Sequence, residues 1–146
     1  MEEVAEGSGV VVVRPCRRDE ITTILELWRN AGAPPSVTDD SAGLARLLDR
    51  DPQCLLVAEV DGELGGTVIA GFDGWRGHMY RLTVLPAHRR HGIARGLVLE
   101  AERRLQRLGA VRVGAVVITA NPEAVGFWSA AGYRLDRTMR RFIKEL

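Results

Sequence analysis

The apolar positions change period along the chain, and each change marks an element. Val10–Arg14, VVVVR, is a β-branched run and reads as a strand. Beyond Pro15 the apolar residues Ile21, Ile24, Leu25, Leu27 and Trp28 recur along one face, which predicts a helix with Asp19 as its cap. NAGAPPS (Asn30–Ser36) breaks it. Leu44, Leu47 and Leu48 mark a second helix from about Asp39 to Asp49. The pattern then turns to strands: CLLVAEV, a two-residue hairpin turn at Asp61 and Gly62, ELGGTVIAGF, a turn at DGWRG, and HMYRLTVL. A long helix from Gly92 to about Leu108 follows. It carries Ala94, Leu97, Val98, Ala101, Leu105 and Leu108 on one stripe and Arg103, Arg104 and Arg107 on the solvated side. Gly109 suits its C′ position. VRVGAVVIT is the next strand, and the intervening helix lets it lie parallel to HMYRLTVL. Asn121 and Pro122 start a helix as cap and first residue, and that helix ends at Gly132. YRLD and TMRRFIKEL close the chain as two short strands. The predicted order is β-α-α-β-β-β-α-β-α-β-β: a mixed α/β fold with one central sheet.

Composition adds limits. A length of 146 residues with 46% hydrophobic and 27% charged residues is that of an ordinary globular domain, expected over residues 10–146. Residues 1–9 are expected to be a loose tail. A net charge of +1 argues against a nucleic-acid partner. Arg137, Arg140 and Arg141 then read as a solvated strand face. Cys16 and Cys54 lie far apart and read as small buried residues in a reducing compartment. No apolar run of about 18 residues is present and the start lacks an apolar leader, so the expectation is a cytoplasmic protein without a membrane partner. His78, His88 and His91 are scattered and there is no H-E-x-x-H, so no metal is expected.

One stretch calls for more than packing. LPAHRRHGIARGL (Leu85–Leu97) sets Arg89, Arg90 and His91 at the start of a helix, the end that is already positive. Free helix-start N–H groups, the helix dipole and the arginines together suit a diphosphate. A solvated loop whose glycine serves the backbone angle is the alternative. G-x-x-x-x-G-K-[ST] and G-x-G-x-x-G are both absent, which excludes a P-loop and a Rossmann fingerprint.

RRHGIA (Arg89–Ala94) resembles the R/Q-x-x-G-x-G/A signature of the Gcn5-related N-acetyltransferases. YRLTVLPAHRRHGIARGL and NPEAVGFWSAAGYR resemble two further stretches of that family in the right order, and VVVVRPCRRDEITTILELW looks like its opening strand and helix. The resemblance implies the GNAT fold, a sheet splayed between its fourth and fifth strands, HMYRLTVL and VRVGAVVIT. It also implies acetyl-CoA as cosubstrate. Its diphosphate would rest on the turn of Arg89, Arg90, His91, Gly92, Ile93 and Ala94. Leu82, Thr83 and Val84 would lie at a bulge, pairing with the pantetheine arm and polarising the thioester carbonyl. Asn121 would reach the cofactor arm, and Trp28 with Asn30–Ser36 would edge the acceptor groove, with packing of the helix on the sheet as the alternative for Trp28. The implied reaction is direct acetyl transfer to a primary amine of a small molecule or peptide. The family also forms homodimers, but no interface is marked in the sequence.

The chain departs from the pattern where the family keeps its proton donor. The usual Phe-Tyr is Phe127-Trp128, and an indole N–H is no practical acid. Members that acetylate protein N-termini often carry Glu where this chain has Val116. Tyr80 is the remaining proton-transfer candidate, ahead of Asp73 and His78. The departure keeps a second reading open, an acyl-CoA-binding sensor without useful turnover.

Overall fold

The computed structural model describes residues 2–6, 9–118 and 122–146. The chain divides into two compact units, Met1–Ala115 and Val116–Leu146.

In the first unit the order is β1 (Glu2–Glu6), β2 (Gly9–Pro15), α1 (Ile21–Asn30), α2 (Ser41–Arg50), β3 (Leu55–Val60), β4 (Glu63–Phe72), β5 (Gly77–Val84), α3 (Ile93–Leu108) and β6 (Val113–Ala115). The strands form one sheet in chain order, antiparallel from β1 to β5 and parallel between β5 and β6. Helices cover both faces. Ile21, Ile24, Leu27 and Trp28 of α1 and Leu44 and Leu48 of α2 pack with Leu55 and Val57 on one face. Leu97, Val98, Ala101 and Leu105 of α3 are buried as well, and α3 meets β4 and β5. With a helix on each side, β3 is buried on both faces over Leu55, Leu56, Val57 and Ala58, a continuous apolar run.

Local chemistry accounts for the joins. Asp61 (φ 50°) and Gly62 (φ 86°) both take the left-handed conformation that a two-residue hairpin turn needs. Asp40 caps α2, accepting from the Gly43 N–H at 2.7 Å. Asp19 does not cap α1; its carboxylate pairs with Arg17, and Glu20 reaches back to the Arg17 N–H at 2.8 Å. Arg14 ties β2 to that corner and to β3, with 2.9 and 2.8 Å bonds to Glu20 and 3.0 Å to Glu59. These bonds hold the Glu20 carboxyl below its ordinary range.

Three further expectations change in this unit. Glu2–Glu6, inside the segment expected as a tail, lies antiparallel to β2, from Glu2↔Val13 to Glu6↔Gly9, and so covers an otherwise open edge. Among the described residues of VRVGAVVIT, Val113–Ala115 alone form a strand, where β5 offers a partner. Arg104 is not on the solvated side of α3. It is 8% exposed, donates from Nε to the Ala70 carbonyl at 3.3 Å and pairs with Asp51.

The second unit contains α4 (Pro122–Ala130), where Trp128 is buried edge-to-face against Phe127 and Tyr133, at ring distances of 5.5 and 4.8 Å. Residues 133–146 hold no strand, contrary to the expectation for YRLD and TMRRFIKEL. Phe142 and Ile143 are exposed. An alternating pattern becomes a strand only where a neighbour takes its backbone groups. Asn121, expected as a cap and cofactor contact, lies outside the described residues.

Candidate functional site

The register of β4 and β5 slips in the middle of the ladder. Thr67 pairs with Thr83 and Ile69 with Tyr80, so three steps of β5 oppose two of β4. The extra residue makes a β-bulge, and Arg81 within it has φ 55°. Pairing with β6 ends at Met79↔Ala115. Among the described residues of this unit, Tyr80 to Val84 therefore have no strand on their outer edge. Leu82 lies in the bulge with Arg81, and Thr83 and Val84 follow it. Leu82 and Thr83 are half-buried and Val84 is buried.

The bulge is held from behind. Thr67 is completely buried. Its hydroxyl accepts from the Trp28 indole Nε1–H at 2.9 Å and donates to the Arg81 carbonyl at 2.9 Å. The Arg81 guanidinium lies 5.2 Å from the Trp28 ring centre, donates to the Pro34 carbonyl at 2.9 Å and pairs with Asp39. One residue thus joins the bulge to the loop between α1 and α2. Trp28 is buried in this network, so of its two readings the structure takes the packing one.

After Val84 the chain crosses to α3. The Leu85 N–H donates to the Gly65 carbonyl at 2.9 Å, and Pro86–His88 make a single 3-10 turn. Arg90 (φ 65°) and Gly92 (φ 78°) are left-handed, and the first helical bond is Gly96 N–H to Gly92 C=O at 3.0 Å. No side chain caps this helix start. Arg90, His91 and Gly92 are exposed, Ile93 is buried as the anchor, and Ala94 is half-buried. Arg89 behaves differently from its neighbours. Its guanidinium donates to the Val84 carbonyl at 3.0 Å and to the Ala31 carbonyl at 3.3 Å, so it braces the turn.

Two glycines in β4 let this assembly sit close. A Cβ on Gly66 would stand 3.0 Å from the Thr83 carbonyl and 3.3 Å from Ile93, and one on Gly65 would stand 2.9 Å from Val60 and 3.0 Å from His88. Adjacent glycines inside an apolar strand are the sequence signal for such an approach. Thr67, Arg81 and Asp39 carry no comparable local signal.

Tyr80 stands one residue before the Arg81 bulge, 40% exposed, with His78 stacked 6.1 Å away. His78 Nε2 is 3.2 Å from Asp73 Oδ2. The Arg76 N–H, then His78 and the Trp75 N–H, hold the Asp73 carboxyl down to about 2. Burial pushes the Cys16 thiol up to about 11 and the Cys54 thiol up to about 12, so neither is a ready nucleophile. Among the described residues, no group of three His, Cys, Asp or Glu side chains could hold a metal, and no helix is long and apolar enough to cross a membrane.

The arrangement is an exposed, uncapped helix start beside an open, bulged strand edge. A family model described as "Acetyltransferase (GNAT) family" matches residues 4–133. The chain belongs to the GNAT acetyltransferase family. It is an acetyltransferase of that family, similar to the "Acetyltransferase ECA0875" of Pectobacterium atrosepticum, with 33% identity over 121 residues covering 83% of this chain and 86% of that one. Among solved structures, its GNAT fold matches Ard1 from Thermoplasma volcanium with a TM-score of 0.77 at 17% identity, over 86% of this chain and 84% of that one. It also matches the PaiA N-acetyltransferase from Thermoplasma acidophilum in complex with coenzyme A, with a TM-score of 0.75 at 17% identity, over 86% and 91%. At that identity the likeness is one of fold.

Proposed function

We propose that the protein is an N-acetyltransferase that moves an acetyl group from acetyl-CoA directly to a primary amine of a small molecule or peptide. The observation that carries this reading is the uncapped start of α3 at Gly92, set beside the open bulged edge of β5. The residues fit the cosubstrate. The exposed turn at Arg90, His91 and Gly92 suits a diphosphate through the N–H groups of Arg90 to Ala94 and the positive helix end, with Arg89 bracing the turn. Leu82, Thr83 and Val84 offer backbone groups to an extended arm, as a missing strand would take them. Asn121 is assigned to the same arm by resemblance.

Acetyl-CoA supplies the acyl group and a thiolate leaving group. The chain supplies orientation and a fixed N–H donor at the bulge for the charge that develops on the thioester oxygen. It must also meet a neutral amine. Keeping a lysine-type amine neutral at pH 7 costs about 4–5 kcal/mol, and an α-amino group about 1 kcal/mol. Tyr80 is the residue assigned to the proton, on the same strand and next to the bulge.

A second reading, an acyl-CoA-binding sensor with little turnover, is favoured by Trp128. Its ring is packed between Phe127 and Tyr133 where the family carries a tyrosine hydroxyl. Calorimetric titration with CoA, followed by thiol release from acetyl-CoA across a panel of small amines and peptide N-termini, decides. Release that depends on the amine supports the enzyme, binding without release supports the sensor, and no CoA binding overturns both.

A further inference from the structure

The buried hydroxyl of Thr67 has more to do than fill the core. A packing residue between α1 and β4 would serve as well as valine, which has the same shape. Thr67 instead stands in a directed chain, indole N–H to hydroxyl to carbonyl, and that chain ends on the peptide unit between Arg81 and Leu82, the two β5 residues that the register skips. A trans peptide is planar, so the Arg81 C=O and the Leu82 N–H point in opposite directions. The bond from Thr67 draws the carbonyl in towards β4 and α1. It therefore turns the Leu82 N–H the other way, out from the ladder at the bulge.

We propose that Thr67, itself oriented by Trp28, is a positioning residue for acetyl transfer: it fixes the Arg81–Leu82 peptide plane so that the Leu82 N–H is aimed at the thioester oxygen. This rests on the acetyl-CoA reading above. The left-handed Arg81 shows why a lock is needed. A non-glycine residue at φ 55° sits in a sparsely populated conformation, and a free peptide there has other orientations available. Arg81's side chain adds a second tether through Pro34 and Asp39, so the plane is gripped from both the core and the α1–α2 loop.

The test compares Thr67→Val, Thr67→Ser and Trp28→Phe with the unaltered protein, well below each variant's unfolding temperature. Thr67→Val is expected to lower kcat for acetyl transfer about 10- to 100-fold, while CoA affinity stays within about threefold of the unaltered protein. Thr67→Ser, which keeps the hydroxyl, restores kcat. Trp28→Phe removes the donor behind the hydroxyl and gives an intermediate loss, which keeps the idea testable if Thr67→Val does not fold. A readout free of turnover runs beside it. The Leu82 amide resonance is expected to move on adding acetyl-CoA in the unaltered protein and in Thr67→Ser, and to move much less in Thr67→Val. An equal Leu82 shift in Thr67→Val, or unchanged kcat in Thr67→Val or Trp28→Phe, overturns the positioning role while leaving the acetyl-CoA reading in place. Failure of acetyl-CoA to move any amide from Arg90 to Ala94 in the unaltered protein overturns that reading itself, and this inference with it.

Discussion

Gly92 separates two effects that any substitution in the turn would otherwise mix. Its φ of 78° penalises every side chain alike, by about 1–2 kcal/mol of fold stability. Gly92→Ala measures that strain and adds no charge. Gly92→Glu adds the same strain plus a carboxylate at an exposed helix start where no side chain now caps the N–H groups. Placed about 5 Å from a diphosphate bearing roughly two negative charges, that carboxylate is repelled by about 1.5–3 kcal/mol at effective dielectric constants of about 80 to 40. Its own attraction to the helix start removes about another 0.3–1 kcal/mol from the ligand. CoA binding to Gly92→Glu should then be about 30- to 1,000-fold weaker than to Gly92→Ala at 0.01 M salt. Because the turn is exposed, the difference must be screened. At 1 M salt the Debye length is about 3 Å and the ratio should fall below about tenfold. Calorimetry of both variants at the two salt concentrations checks this, with thermal unfolding run alongside to confirm equal strain. Equal CoA affinities at low salt would place the diphosphate away from α3 and sink the electrostatic reasoning.

Tyr80→Phe should lower kcat about 100-fold or more if the hydroxyl carries the proton, with CoA affinity unchanged; a pH–rate profile identical to that of the unaltered protein would remove Tyr80 from the chemistry. The Glu20 carboxyl, held low first by its bond to Arg14, contributes stability that is complete above its unfolded value of about 4.3 and is lost as pH falls through its depressed folded value. Urea midpoints at pH 7 and pH 3 should therefore differ less in Glu20→Gln than in the unaltered protein, and an equal difference would show that the Arg14 pair is not linked to folding. With Cys16 raised to about 11 and Cys54 to about 12 by burial, an aromatic disulfide reagent at pH 8 should react with both thiols only in denaturant. Rapid labelling of the folded protein would show that this part of the core opens.

What the sequence disclosed was what has a local cause. The hairpin at Asp61 and Gly62, the four buried positions on one face of α1 and the glycine before α3 each follow from neighbours within a few residues, and each stands in the structure as read. The losses share a different origin. VRVGAVVIT looks like nine residues of strand, yet among its described residues only three pair, because a strand's length is set by the neighbour it finds. Arg104 belongs by spacing with Arg103 and Arg107, but Asp51 and the Ala70 carbonyl, more than thirty residues away, draw it inside.

The site divides along the same line. The turn at Gly92 was readable because a basic, uncapped helix start is anomalous within its own sequence. The bulge was not readable from pattern, since Tyr80-Arg81-Leu82-Thr83 alternates as any half-buried strand does; only resemblance pointed to it. Its lock was invisible altogether. Thr67 lies 39 residues from Trp28 and 14 from Arg81, and neither bond leaves a mark on local spacing. Arg89 carries a part that spacing did not disclose, since its guanidinium donates to two carbonyls, at Val84 and Ala31. Charge in the sequence can announce where an anion goes. Which side chains meet it, and which hold the chain that meets it, depends on carbonyls and hydroxyls brought in by the fold.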